Sequence, residues 1–263
     1  MSASLAGLTL VVTRPRRQAG PFTTAATREG ATCIALPAIE IERVPLGAAE
    51  RARCAPDAYD WAIYTSANAV EASFDQLPPP SRCRIAAVGR ATARALESHG
   101  VVVHALPEGR ADSEGLLELP VFSTLEGRRV LILRGVGGRE LLRDELQARG
   151  ATVHVAEVYR RVPASPDPAA LAALERALAG GARSVVVAVT SVEVIDGLLG
   201  MVPPALAESL RDCALLLPGA RVAQAARDRH WRGALVVAPT AEDAAMLAAL
   251  AARDRPPGDR PAA

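Results

Sequence analysis

Lysine is missing from this 263-residue chain. All 30 basic residues are arginine, set against 29 acidic ones for a net charge of +1. With no lysine amine, Schiff-base chemistry and the ordinary P-loop kinase mechanism are excluded. The balanced charge gives no broad field for nucleic acid or membrane surfaces, so neither is expected as a partner and any anion must be recognised by local clusters. Aromatic residues make up 3% of a chain that is 50% hydrophobic, so the core must be built from Ala, Val, Leu and Ile, which suits helices packed on a Val-rich sheet. The four cysteines (Cys33, Cys54, Cys83, Cys213) form no CxxC pair. The four histidines (His99, His104, His154, His230) show no HxxxH or HExxH spacing. Those absences argue against a disulfide framework and against a metal centre, and no metal is expected. No apolar stretch approaches the ~18 residues of a membrane span. "MSASLAGLTLVVTRPRR" has no basic leader and reads as a first strand, so a soluble, cytoplasmic protein is expected.

What is present is alternation. Strands are predicted at Leu8–Thr13, Thr32–Leu36, Trp61–Tyr64, Arg84–Val88, Val101–Ala105, Arg129–Leu133, Thr152–Ala156, Ser184–Val189, Ala214–Leu217 and Ala234–Ala238. Helical spacing fills most gaps, the pattern of parallel βαβ units. The chain also repeats. Laying "GLTLVVTRP" onto "GRRVLILRG" and "REGATCIALP" onto "ARGATVHVAE" pairs Gly7 with Gly127, Arg14 with Arg134, Gly30 with Gly150 and Thr32 with Thr152. With drifting offset, Thr65-Ser66 meets Thr190-Ser191 and Pro107 meets Pro239. The fold class is therefore α/β, two similar parallel-sheet lobes in tandem, each with about five strand candidates.

"AIEIERV" (38–44) and "EVYRRV" (157–162) alternate apolar with charged residues and end at Pro45 and Pro163. As a two-stranded hinge they would carry the chain from one lobe to the other and back. Simple halves split near Leu125 are the alternative.

Ligands of open α/β sheets bind where parallel strands end and helices begin, because backbone N–H groups are free there. Candidates at such junctions are Thr65, Ser66 and Asn68; Gly89, Arg90 and Thr92 in "AAVGRATARAL"; and Thr190 with Ser191. For any one of these residues taken singly, plain N-capping is the better account. "LRGVGGRELL" places Gly135, Gly137, Gly138 and Arg139 between a strand and a helix. Its glycine spacing is wrong for a dinucleotide fingerprint and suits a turn that approaches an anion. "TRPRR" offers Arg14 near a helix start, or simply solubilising charge. Tyr159 presents a phenol in the proposed hinge, either for a cleft or as a partly buried ring with a wet tip.

Together "VVTRP", "WAIYTSANAVEAS", "AAVGRATARAL", "SEGLLELP", "VLILRGVGGRELLRDELQARGATVHVAEVYRR", "VAVTSVEVIDGLL" and "VVAPTAEDAAMLAAL" resemble uroporphyrinogen-III synthases from Leu8 to about Leu250. The resemblance implies a cofactor-free, monomeric enzyme of two α/β lobes joined by a two-stranded ladder, with the site in the cleft between them. It favours interleaved lobes: residues 1–38 with 164–252 as the first, 39–163 as the second including the hinge strands, and 253–263 as a disordered tail. It implies hydroxymethylbilane as substrate, a linear tetrapyrrole with eight carboxylates, cyclised with inversion of ring D and loss of water. Backbone amides and hydroxyls would hold the carboxylates, giving binding roles to Thr65, Ser66, Asn68, Gly89, Arg90, Thr92, Thr190 and Ser191, with Arg14, Arg134, Gly137 and Gly138 beside them. Tyr159 matches the tyrosine that assists departure of the hydroxyl. Where the family commonly has a Gly-Pro-Thr-Thr-like turn, this chain has "LLPGARVAQAA", placing Gly219 and Arg221 at that wall. A non-catalytic two-lobed binding module and a nucleotide-binding α/β enzyme are the other readings.

Overall fold

The computed structural model describes residues 5–110 and 112–253; most of the predicted tail lies outside them. In chain order the elements are β1 (Thr9–Val12), α1 (Arg16–Arg28), β2 (Thr32–Ala35), β3 (Ile39–Arg43), α2 (Ala48–Arg53), β4 (Trp61–Tyr64), α3 (Ala67–Phe74), β5 (Arg84–Ala87) and α4 (Arg90–Ser98). There follow α5 (Ser113–Leu117), β6 (Arg129–Gly135), α6 (Leu141–Ala148), β7 (Thr152–Pro163), α7 (Pro168–Ala179), β8 (Val185–Ala188), α8 (Val192–Met201), α9 (Pro204–Arg211), β9 (Ala214–Pro218), α10 (Gly219–Asp228), β10 (Leu235–Ala238) and α11 (Asp243–Arg253).

The chain divides into two compact units, one drawn from Met1–Glu40 and Val162–Ala263, the other from Ile41–Arg161. The first holds a sheet ordered β10-β9-β8-β1-β2; the second sheet is ordered β3-β7-β6-β4-β5. In the first sheet Val11, Val185, Val187 and Leu215 pack on one face with residues of α7 to α10, while Leu10, Val12, Val186 and Leu216 face α1 and α11. In the second sheet Ala62, Tyr64, Leu131 and Leu133 pack with α3 and α4, and Trp61, Ile63, Val130 and Ile132 with α5 and α6. Burial on both faces explains why central strands such as "VVVA" are continuous apolar runs, and why β2 and β10, at the edges, are partly exposed.

The sequence repeat is a repeat of backbone. Gly7 and Gly127 adopt φ of 82° and 68°, and Gly30 and Gly150 φ of 97° and 92°, left-handed turns that favour glycine. β1 pairs with β2 from Thr9↔Thr32, and β6 with β7 from Arg129↔Thr152, the same register 120 residues on. β4 stands beside β6 as β8 stands beside β1, and β5 follows β4 as β9 follows β8.

Two predicted strand assignments differ. Val101–Ala105 is not a strand: it touches β5 through a single bridge, Ala86↔Ala105. His104 Nδ1 accepts the Ile85 N–H at 3.1 Å, so a side chain takes a bond that a ladder would need. And Thr152–Ala156 does not stop before "EVYRRV"; both are parts of the 12-residue β7, which lies next to β3 in the second sheet.

Asp57 fastens the start of β5. Its carboxylate accepts the Ser81 and Arg82 N–H groups at 2.9 Å and the Ser81 hydroxyl, and these hydrogen bonds, the Ser81 hydroxyl first, hold its pKa well below the usual carboxylate range. A depressed folded-state pKa contributes stability above the unfolded value of about 4 that is lost as pH falls toward the folded value. Asp57→Asn is expected to lose about 2 kcal/mol at pH 7. In urea unfolding the gap to the parent should narrow below pH ~4; a gap constant with pH would contradict this.

Candidate functional site

Open α/β sheets bind ligands where neighbouring strands send their connections to opposite sides. In the second sheet that point lies between β6, which leads to β7, and β4 on its other side. A cavity of about 350 Å³ opens there. Thr65 and Ser66 follow β4, Arg134 and Gly135 end β6, Gly137 to Arg139 form the following turn, Tyr159 and Arg161 come from β7, and Ser113 and Arg143 from α5 and α6.

Tyr159 reaches this cavity through an irregularity. β6 and β7 run in step from Arg129↔Thr152 to Arg134↔Glu157, then Gly135 meets Tyr159, with Val158 passed over. The bulge brings Val158 and Tyr159, 0% and 3% exposed, into the same core cluster, where strict alternation would have sent them to opposite faces of the sheet. Val136 N–H donates to the Tyr159 carbonyl at 2.8 Å and closes the distortion. Gly135 is required by the ring: a Cβ there would lie 2.7 Å from Tyr159 Cζ.

Three groups form a directed chain. Ala69 N–H donates to Ser66 Oγ at 3.2 Å, and the Ser66 hydroxyl donates to Tyr159 Oη at 3.1 Å. The phenol oxygen is thus an acceptor from Ser66 and keeps its own proton for another partner. Thr65 Oγ1 donates to the Leu133 carbonyl at 3.3 Å.

Arginines line the cavity but are not bare. Arg134, 9% exposed, donates to Glu140 at 2.6 Å, Glu157 at 3.2 Å and the Arg139 carbonyl at 3.1 Å. Arg139 forms a two-bond fork with Glu114, at 2.8 and 2.9 Å. Arg143 pairs with Glu140 and Asp144. The Arg134 hydrogen bond holds the Glu140 carboxyl below its ordinary value, and Arg139 does the same for Glu114. Around the cavity the guanidinium charge is therefore largely matched by carboxylates. Gly137 turns the loop at φ 73°, and its N–H donates to Glu157 Oε1 at 3.3 Å. An anion entering here meets backbone amides, hydroxyls and the outer edges of paired guanidiniums.

Of the predicted site residues, Thr65, Ser66, Arg134, Gly137, Gly138 and Tyr159 come together around this cavity. Asn68, in the first turn of α3, and Gly89, Arg90 and Thr92 at the start of α4 do not line it; Arg90 is exposed and Thr92 is 4% exposed. The others belong to the first unit. Arg14 is ion-paired to Asp243 and stacks on Phe22 at 4.5 Å; Gly219 opens α10 at φ 69° and Arg221 is exposed. Ser191 accepts the Val194 N–H at 3.3 Å, the same capping bond that Ser66 makes, while Thr190 precedes it, partly buried. Ser113, Gly135, Arg139, Arg143 and Arg161 were not among the predicted site residues. The turn "GVGGR" carried a sign of Gly135 and Arg139, whereas Ser113 and Arg143 fall inside stretches that carry the resemblance without a feature that singles either out.

The family model described as uroporphyrinogen-III synthase HemD matches residues 21–248. The uroporphyrinogen-III synthase of Escherichia coli K12 is 41% identical over 166 residues, covering 62% of this chain and 65% of that protein, just under two thirds of its length. A crystal structure of a mutant uroporphyrinogen III synthase from the extremely thermophilic bacterium Thermus thermophilus matches 94% of this chain and 100% of its own, at 25% identity and a TM-score of 0.59. The Helicobacter pylori uroporphyrinogen-III synthetase shares the fold over 94% of this chain and 100% of its own, at 18% identity and a TM-score of 0.61.

Proposed function

This chain belongs to the uroporphyrinogen-III synthase family, and from that premise we propose that it cyclises hydroxymethylbilane to uroporphyrinogen III, inverting ring D and releasing water. The observation that carries the assignment to this site is the Ala69–Ser66–Tyr159 hydrogen-bond chain ending at the cavity beside β6. The terminal hydroxyl of the bilane leaves as water when it takes the phenol proton of Tyr159, and Ser66 stabilises the phenolate by donating to its oxygen. The azafulvene left behind is attacked by the substituted carbon of ring D. The spiro intermediate fragments and recloses with that ring turned over, and the proton released at the last closure restores the phenol. No protein nucleophile is required, so the work is orientation and shielding.

Amides and hydroxyls suit this polyacidic substrate because the arginines are already engaged. Its carboxylates bind by sharing donors with Glu114, Glu140 and Glu157, which limits the electrostatic cost of releasing product. Asn68, Gly89, Arg90 and Thr92, and in the first unit Arg14, Thr190, Ser191, Gly219 and Arg221, are proposed to hold further parts of the same substrate. We propose that the chain acts as a monomer in the cytoplasm. All four cysteines are free, and among the described residues no helix is long and apolar enough to cross a membrane.

Supplying hydroxymethylbilane and separating the product isomers tests the function: type III is expected, and type I alone, as formed spontaneously, would refute it. Tyr159→Phe keeps the ring and removes the proton, so turnover should fall several-fold or more with little change in KM. A rate equal to the parent's would remove Tyr159 from the mechanism.

A further inference from the structure

Glu50 and Cys54 stand four residues apart, on and just after α2, and so share one face of that turn. His154 comes from the far end of the sequence of the same unit, on β7 opposite Leu131. Their donor atoms converge. Cys54 Sγ lies 3.4 Å from Glu50 Oε1 and 3.4 Å from His154 Nε2, and His154 Nε2 lies 3.0 Å from Glu50 Oε1. A tetrahedral Zn²⁺ with ordinary bond lengths to sulfur, imidazole nitrogen and carboxylate oxygen has edges of about 3.5 Å for S···N and S···O and about 3.3 Å for N···O. The triangle of donors matches one face of that tetrahedron to within a few tenths of an ångström.

The surroundings fit the same geometry. Arg53 pairs with Glu50 Oε2, so Oε1 is the oxygen turned toward the sulfur and the imidazole. Tyr59 lies beside His154 with ring centroids 6.3 Å apart and the planes tilted by 30°, its hydroxyl donates to the Arg53 carbonyl at 2.7 Å, and Arg129 lies over its ring. Cys54 is buried, whereas the side chains of Glu50 and His154 are 26% and 29% exposed, which leaves a path from solvent to the open fourth position.

We propose that Glu50, Cys54 and His154 form a binding site for a thiophilic divalent cation of the Zn²⁺ class, completed by water, which ties α2 to β7. On binding, the Cys54 thiol proton passes to solvent as the sulfur–metal bond forms. His154 donates its Nε2 lone pair with its proton held on Nδ1, and the two anionic ligands balance the ion's charge. None of the three residues lines the cavity at Tyr159, and the role proposed for the site is structural.

Co²⁺ titration of the reduced, full-length chain provides the test, read as thiolate-to-cobalt charge-transfer absorption in the near ultraviolet. One saturating equivalent is expected, bleached by Zn²⁺, absent in Cys54→Ser and at least tenfold weaker in His154→Gln. Cys33, Cys83 and Cys213 remain in Cys54→Ser, so a band that persists there places the metal elsewhere and overturns the proposal. So does the absence of any band in the parent protein. Glu50→Gln, a partly exposed and nearly isosteric change, guards against misfolding: Zn²⁺ should raise the melting temperature of the parent and not of this variant. An equal rise in both would show that the ion binds without Glu50 and would also overturn it.

Discussion

Arg134→Met is expected to destabilise the protein by about 2 kcal/mol and to cut turnover roughly tenfold or more. Arg134 is 9% exposed, and its guanidinium donates to Glu140, Glu157 and the Arg139 carbonyl together. Removing it leaves two carboxylates beside one another with no shared cation. A fully buried pair broken in this way costs about 3–5 kcal/mol. Here the glutamate side chains are 43% and 37% exposed, so water recovers part of that and the lower figure applies. Adding Glu157→Gln to Arg134→Met relieves the repulsion. That double variant should regain stability in denaturant unfolding and still turn over slowly, because the cavity has lost its donor. Full recovery of turnover would show that Arg134 only organises its neighbours, and an unchanged unfolding midpoint in the single variant would contradict the energetics.

Gly135→Ala should be almost as damaging, although it adds a single methyl group. The new carbon would sit 2.7 Å from Tyr159 Cζ and 3.0 Å from its hydroxyl. The ring is rigid and packed among Tyr64, Leu133 and Val158, so either it swings away from Ser66 or β6 shifts. Overpacking of this kind costs about 1–3 kcal/mol. Turnover should fall at least as far as in Tyr159→Phe, since the Ser66–Tyr159 bond is lost along with the position of the phenol. Combining Gly135→Ala with Tyr159→Ala opens room for the methyl, and stability should then recover partly while activity does not. A melting temperature and rate equal to the parent's in Gly135→Ala would show that the contact yields without consequence.

Much of this was visible in the chain itself, for reasons that can be named. Strands buried on both faces, such as "WAIY" and "VVVA", announce themselves as apolar runs between turn residues. The paired glycines 7, 127, 30 and 150 were legible because left-handed turns restrict the residue type. Val101–Ala105 misled because its valines carry strand propensity, while the bond that decides its fate, from Ile85 N–H to His104, joins two segments. Tyr159 stood out by its rarity and its place, but the bulge that aims it depends on register against β6 and leaves no local mark. The same holds for Glu50, Cys54 and His154: a pattern sought within a few residues misses donors 100 residues apart.

The order of strands also bears on how the chain comes to be folded. β1 and β2 are made first, yet the next neighbour of β1 in its sheet is β8, from Val185, so the whole of Ile41–Arg161 intervenes. The intervening unit is continuous and has the shorter loops to close, whereas β1 must await a partner some 170 residues later. A nascent polypeptide would therefore complete its middle first and carry β1 and β2 as an unfinished pair of parallel strands until β8 has been made. An edge left unpaired in that interval is open to aggregation, and truncations that remove β8 should be far more damaging than their length suggests.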